Sequence, residues 1–214
     1  MDHRELSEKL SLYLVADPGQ TTGDFLPAVE AALANGVTAV QLRAKHITDS
    51  GMLALARELS QHCRAHNALF LVNDRVDIAL ASGADGVHLG VDDLPVDDAR
   101  RLLGPTAVIG FSPETNQQAR DARSHGADYL GVGPVVTTPS KDDAGQPIGL
   151  DGLRRRVDLA GIPVIGIGGI TPATYADVLA TGAVGAAVIS AILRAPNPGH
   201  AARAFLDSRD MTSA

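Results

Sequence analysis

Gln41, Arg43 and Lys45 alternate along Gln41-Leu42-Arg43-Ala44-Lys45. In extended chain such residues point the same way. One amide and two cations aimed together suit a polar ring beside an anion, although a solvated edge would carry the same pattern. Asn73-Asp74 and Asp92-Asp93 each follow an apolar run closely. Two acidic loops brought side by side can hold one hard cation, and Mg²⁺ takes one or two carboxylates plus substrate phosphates. The competing reading is local: Asp74 caps a helix at Val76, and Asp92-Asp93 caps one ahead of Pro95. The stretch Gly131-Val132-Gly133-Pro134-Val135-Val136-Thr137-Thr138-Pro139-Ser140-Lys141 has two glycines, two prolines, three hydroxyls and one lysine. Glycine lets backbone amides approach a ligand closely, and hydroxyls with an ammonium suit phosphate oxygens. A surface loop of turn residues is the plain alternative.

These residues need elements to bring them together. Residues 3–10 read as a short opening helix and Ser11 to Ala16 as a first strand. Asp24 can cap a helix running to Asn35, with Leu26, Val29 and Leu33 on one face. Further strands are read at 38–42, 69–72, 86–89, 107–111, 128–132, 163–167 and 184–188. Asp49 or Ser50 caps a long helix carrying Met52, Leu55, Ala56, Leu59 and Cys63 at helical spacing. Shorter helices are read at 76–81, 97–103, 151–158 and 199–207. Ser112-Pro113-Glu114 reads as the start of a helix ending at Gly126, and Thr171-Pro172 as another cap-and-proline start. Each strand is a near-continuous apolar run, as a parallel sheet buried on both faces requires. A weak echo recurs where Gly36, Gly83, Gly126 and Gly182 each close a helix just before a strand. Eight βα units favour a closed (β/α)₈ barrel of the TIM type over an open sheet. No G-x-G-x-x-G follows the first strand, so the dinucleotide fold lacks its fingerprint. The 214 residues fit one such domain, with a short N-terminal helix and a mobile C-terminal tail expected.

In a barrel the chemistry lies where strands end and loops begin. The polar stretches above all fall there. Ser112 follows strand five, as a helix cap, a ligand contact or both. Lys141 sits near the tip of the loop after strand six, where a mobile arm would carry it onto a phosphate. Gly168-Gly169-Ile170 follows strand seven and Ile189-Ser190 follows strand eight, the usual phosphate-binding corner of a barrel. Two anion sites result: a lysine-plus-metal site at Asp74, Asp93 and Lys141, and an amide nest at Gly169 and Ser190. His62 and His66 lie four apart on a helix, but off its apolar face and with no third ligand near in sequence, so no metal is expected there. His88, within strand four, reads as a packed residue or as one that supports a residue of the site from behind. No nucleophile elbow, P-loop lysine or Cys-His pairing is present.

Composition narrows the class. Apolar residues are 45% of the chain and aromatics 3%, so Val, Ile, Leu and Ala must fill the core. A net charge of −7 argues against nucleic-acid or anionic-membrane partners. No apolar run is long enough for a bilayer span, and the charged N-terminus leads into no signal-peptide core. Cys63 is the single cysteine, which excludes an intramolecular disulfide and suits a reducing cytoplasm. Small-molecule substrates are expected as partners, and a homo-oligomer stays open.

The ordered motifs Q-L-R-A-K at 41–45, N-D-R at 73–75, G-A-D-G-V-H-L-G-V-D-D-L-P at 83–95, I-G-F-S at 109–112, G-V-G-P-V-V-T-T-P-S-K at 131–141, P-I-G-L at 147–150 and I-G-I-G-G-I at 165–170 resemble the thiamine-phosphate synthase family. The resemblance implies a (β/α)₈ transferase of thiamine biosynthesis that requires Mg²⁺. It joins 4-amino-2-methyl-5-(diphosphooxymethyl)pyrimidine to 4-methyl-5-(2-phosphoethyl)thiazole and releases pyrophosphate. By motif, Gln41, Arg43, Lys45, Asn73, Ser112 and Lys141 would contact the pyrimidine diphosphate, with Leu42 and Ala44 in the same strand-end segment. Asp74 and Asp93 would hold Mg²⁺, and Thr138, Pro139, Ser140, Gly169, Ile189 and Ser190 would line the thiazole phosphate site. Arg43, Lys45, Ser112 and Lys141 would serve the departure of pyrophosphate in a dissociative substitution that needs no covalent nucleophile. Ala44 stands where the family pattern has Glu, and Thr138-Pro139-Ser140-Lys141 keeps a hydroxyl but loses a methyl from its T-x-T-K loop; neither change removes a charge. A related thiazole tautomerase would carry a histidine near Pro134, and a non-catalytic phosphate-binding barrel could dispense with Asp74 and Asp93.

Overall fold

The computed structural model describes residues 1–137 and 145–210. Its strands are β1 (Leu12–Ala16), β2 (Ala39–Leu42), β3 (Leu69–Asn73), β4 (Gly86–Leu89), β5 (Val108–Phe111), β6 (Tyr129–Val132), β7 (Val164–Ile167) and β8 (Gly185–Val188). All pair in parallel and in sequence order, and β8 returns to β1 through Leu12↔Ala186, Tyr13↔Ala187 and Leu14↔Val188. The sheet is therefore the closed (β/α)₈ barrel read from the eight apolar runs. Its helices are α1 (His3–Lys9), α2 (Phe25–Leu33), α3 (Asp49–Ala65), α4 (Val76–Ser82), α5 (Val96–Leu103), α6 (Asn116–Asp121), α7 (Gly149–Ala160), α8 (Pro172–Leu179), α9 (Ser190–Leu193) and α10 (Pro198–Asp210). Among the described residues no helix is long and apolar enough to cross a membrane.

Three helix starts differ from the sequence reading. Thr48, not Asp49 or Ser50, caps α3, accepting from the Gly51 amide. Asp24 stands at the N-cap of α2 but its side chain makes no capping bond. Ser112-Pro113-Glu114 does not open a helix. Thr115 and Gln118 do, as a reciprocal capping box at the head of the six-residue α6. A box that satisfies two orphan amides outcompetes a serine followed by proline. Ser112 is thereby left at the strand end, available to the barrel mouth. The run from Val178 to Leu193 is, as read, a helix end, a turn, a buried strand and a helix start.

The glycine echo has a structural reason at the end of the barrel where strands begin. Two residues after the glycine comes Thr38, Asp85 or Asp128, and each side chain accepts the amide of the first or second residue of the preceding strand. Thr38 Oγ1 takes Leu12 N at 3.0 Å, Asp85 Oδ2 takes Phe70 N at 2.8 Å and Asp128 Oδ2 takes Ile109 N at 2.7 Å. Amides that the ladder leaves unpaired are satisfied this way. Arg100 of α5 locks the same end. It donates to the carbonyls of Gly104, Ala107 and Gly126 and to Asp128 Oδ2 at 2.5 Å.

Arg100→Ala removes these donors together and leaves three partly buried carbonyls without them. It is expected to lower unfolding stability by about 1–3 kcal/mol, read as a fall in urea midpoint. Because this face lies opposite the loops that carry chemistry, pyrophosphate affinity should not change.

Candidate active site

A cavity of about 780 Å³ opens at the C-terminal ends of the strands. That is room for two small substrates held side by side. Gln41, Arg43, Lys45, Asn73, Asp74, Asp93, Ser112, Gly169, Ile189 and Ser190 all line it. The alternation along β2 is as read: Gln41, Arg43 and Lys45 face the cavity, while Leu42 is fully buried away from it and Ala44 packs on the core. Neither Leu42 nor Ala44, both read as substrate-binding from the motif, lines the cavity, because the alternation of the strand turns them to the core. Thr138, Pro139, Ser140 and Lys141 lie outside the described residues, as does the tail from 211. The root of their loop is described, and it is pinned to the barrel. Val135 and Val136 donate to the carbonyls of Ile167 and Gly168 at 2.8 and 3.0 Å, and Ile148 donates to Pro134 at 2.8 Å. A Cβ at Gly169, where φ is +67°, would stand 2.8 Å from the Thr137 carbonyl. Glycine is required for that approach.

Asp74 and Asp93 meet on one side. Asp74 does not cap α4, whose N-cap is Arg75; it sits at φ 62° with its amide bound to the His88 carbonyl at 2.9 Å. Left-handed backbone suits Asp better than most residues and is concentrated at functional positions. Its carboxyl is pushed up to about 6 by burial, by a hydrogen bond with Asp93 and by that group's charge, against the pull of Lys45 and Asn73. Asp93 also accepts the Gly90 amide through Oδ2 at 2.6 Å. Two carboxyls brought together in this way offer a cation the oxygen donors it needs, so this donor set fits one hard divalent ion.

Several residues of the site were not singled out from sequence. Asp17, directly after β1, holds Arg43 Nη1 at 2.6 Å with both side chains largely buried. Arg156 of α7 lines the cavity; its Nη2 donates to the Glu114 carbonyl at 2.7 Å, and its Nη1 is buried without a partner among the described residues. Below the rim, Gln41 Nε2 donates to Tyr13 Oη at 2.8 Å, Tyr13 meets Tyr129 at 2.9 Å, Tyr129 meets His88 Nδ1 at 2.8 Å, and His88 Nε2 meets Ser112 Oγ at 2.8 Å. His88 is thus a polar link facing the cavity as well as a packed strand residue. Away from the site, Glu30 of α2 reaches both His62 and His66, the latter at 2.7 Å, so a third polar group does stand beside that pair. Among the described residues no group of three or more His, Cys, Asp or Glu side chains is arranged to hold a metal ion.

The raised Asp74 pKa gives a test with a definite sign. Its folded value lies above the usual carboxylate value, so the folded state binds the extra proton. Stability from this group is present at low pH and is lost as pH rises through about 6. In chelator, melting temperature should therefore fall more steeply between pH 4 and 6 in the parent than in Asp93→Asn. Equal slopes would show that the two carboxyls do not interact.

The family model described as thiamine monophosphate synthase matches residues 12–192. A bifunctional thiamine biosynthesis protein of Symbiobacterium thermophilum is 56% identical over 202 residues, 94% of this chain and 41% of that protein. The chain thus spans less than half of that relative. A thiamine-phosphate synthase of Moorella thermoacetica is 50% identical over 178 residues, 83% of this chain and 85% of that one. Among solved structures, a thiamine phosphate pyrophosphorylase from Pyrococcus furiosus superposes with a TM-score of 0.88 at 39% identity, covering 98% of this chain and 100% of that one. With the model spanning nearly the whole barrel and relatives at half identity, this chain belongs to the thiamine monophosphate synthase family.

Proposed function

We propose that this chain is a transferase of thiamine biosynthesis. It joins the aminopyrimidine methyl diphosphate to the thiazole phosphate, giving thiamine phosphate and pyrophosphate. The observation that carries the reading is the division of one cavity into two unlike anion sites. Asp74 and Asp93 meet at one side, with Arg43 and Lys45 near them; the turns at Gly168-Gly169 and Ile189-Ser190 line another. An anion that must leave needs charge to compensate it. An anion that only anchors its substrate is served by neutral donors.

The bond that breaks joins the pyrimidine methylene to the diphosphate oxygen, and both electrons leave with pyrophosphate. The bond that forms joins the thiazole nitrogen to that methylene. No net proton transfer is required. Asp74 and Asp93 would hold Mg²⁺, which when bound supplies positive charge beside the departing diphosphate. Arg43, fixed by Asp17, and Lys45 add cationic charge at the same end. Ser112 and Asn73 supply neutral donors there. Gly169, Ile189 and Ser190 hold the thiazole phosphate, so the nitrogen is presented to one face of the pyrimidine methylene. The protein's contribution is electrostatic and positional. The reaction reads better here than the tautomerase alternative, since Pro134 stands where that reading needs a histidine.

Incubation with both substrates and Mg²⁺ should yield thiamine phosphate and pyrophosphate. Asp93→Ala should lower kcat by about 10²-fold or more, because one carboxylate fewer leaves leaving-group charge uncompensated. Product formation near the parental rate in a folded Asp93→Ala variant at limiting Mg²⁺ would remove that residue from the reaction. No thiamine phosphate from the parent protein would overturn the assignment itself.

A further inference from the structure

We infer that Tyr13, Tyr129 and His88 form a directed hydrogen-bond chain that fixes the Ser112 hydroxyl as a donor into the cavity. They are positioning residues for the diphosphate end of the substrate, an inference that rests on the reaction proposed above.

The chain crosses the barrel from β2 through β1, β6 and β4 to β5. Its four links are Gln41–Tyr13, Tyr13–Tyr129, Tyr129–His88 and His88–Ser112, at 2.8, 2.9, 2.8 and 2.8 Å. Tyr13 and Tyr129 are 1% and 0% exposed, so no solvent competes for their hydroxyls. Burial pushes both phenols above their ordinary value, and each keeps its one proton. A phenol with one proton donates once. With a neutral imidazole every link therefore points the same way, and two polarities are open. In one, Gln41 donates to Tyr13, Tyr13 to Tyr129, Tyr129 to His88 Nδ1, and His88 Nε2–H to Ser112. In the other, every arrow is reversed and the Ser112 proton is spent on His88.

The ligand chooses between them. A diphosphate presents only acceptor oxygens, so a serine that has given its proton to His88 cannot donate to it. The first polarity leaves the Ser112 proton for the ligand and fills its oxygen with the imidazole N–H. Such a chain strengthens the terminal donor, because each link polarises the next. The amide of Gln41 sits at the head of the chain with Nε2 toward Tyr13, as this polarity requires.

The barrel is shaped for these rings. A Cβ at Gly110 would stand 2.2 Å from Tyr129 Cζ and 2.4 Å from His88 Nδ1. One at Gly131 would stand 2.9 Å from His88 Cε1. Two inward positions on β5 and β6 are thus kept empty so that an imidazole and a phenol can meet. An apolar packing role alone would not need both imidazole nitrogens paired.

Two measurements test the inference. The first reads the imidazole ¹⁵N shifts in uniformly labelled protein, with and without pyrophosphate, the His88 pair being assigned by its loss in His88→Gln. The expected result is the Nε2–H tautomer, with Nδ1 unprotonated. An Nδ1–H tautomer or a doubly protonated ring would overturn the chain polarity, whether or not the protein makes thiamine phosphate. The second is a cycle of Tyr129→Phe and Ser112→Ala. Tyr129→Phe should lower kcat by about 3- to 10-fold in the parent, with little change in the thiazole phosphate KM. In the Ser112→Ala background it should change kcat by less than about twofold, because the chain then ends on nothing. Equal losses in both backgrounds would show that Tyr129 acts by packing and not through Ser112. If the parent makes no thiamine phosphate, the reaction assignment falls, while the tautomer still decides the chain.

Discussion

The pairing of β8 with β1 constrains everything else in this molecule. A sheet closed from eight short strands has a fixed and small interior, and side chains from opposite walls compete for it. Tyr13, Tyr129 and His88 point into that space. They fit because Gly110 and Gly131 give it up, and because Ala187 stands opposite Tyr13 in the closing pair. A buried ring with a hydroxyl or a nitrogen must find a partner. Here the rings find one another, so the floor of the cavity is a connected polar chain rather than an apolar plug.

Closure also sets the rim. Once eight strands are in register, each contributes the residue just past its last ladder bond, and these residues converge on one opening. Asp17 and Arg43 come from neighbouring strands and form a tight, mostly buried pair. Asp74 and Asp93 come from the ends of β3 and β4 and meet there, close enough for Asp93 to raise the Asp74 carboxyl. The turns after β7 and β8 are built from backbone and small side chains. Charge is thus concentrated over β1 to β4 and sparse over β7 and β8. A reaction in which one anion leaves and another stays bound has that asymmetry.

Much of this was legible in the sequence, for identifiable reasons. Doubly buried parallel strands are continuous apolar runs, so all eight could be placed. The polar residues directly after them then followed from the rule that barrels keep their chemistry at strand ends. Helix starts were harder. Ser112-Pro113-Glu114 looks like a cap, yet Thr115 with Gln118 forms the box that wins, and Thr48 likewise displaces Asp49. Asp17 escaped notice because the Pro18-Gly19 that follows reads as an ordinary turn. Tyr13, Tyr129 and His88 sit within apolar runs, and only the phase of each strand, known once the register is known, shows which face looks inward. Arg156 enters from a helix face, which no strand-end rule surveys.

On the function proposed above, one cavity holds two anion sites of different chemistry, one dependent on a divalent ion and one not. Calorimetric titration of pyrophosphate and of the thiazole phosphate, each in Mg²⁺ and each in chelator, tests it most directly. Pyrophosphate binding should be lost in chelator while thiazole phosphate binding changes by less than about twofold. Equal dependence of both ligands on Mg²⁺, or independence of both, would contradict it.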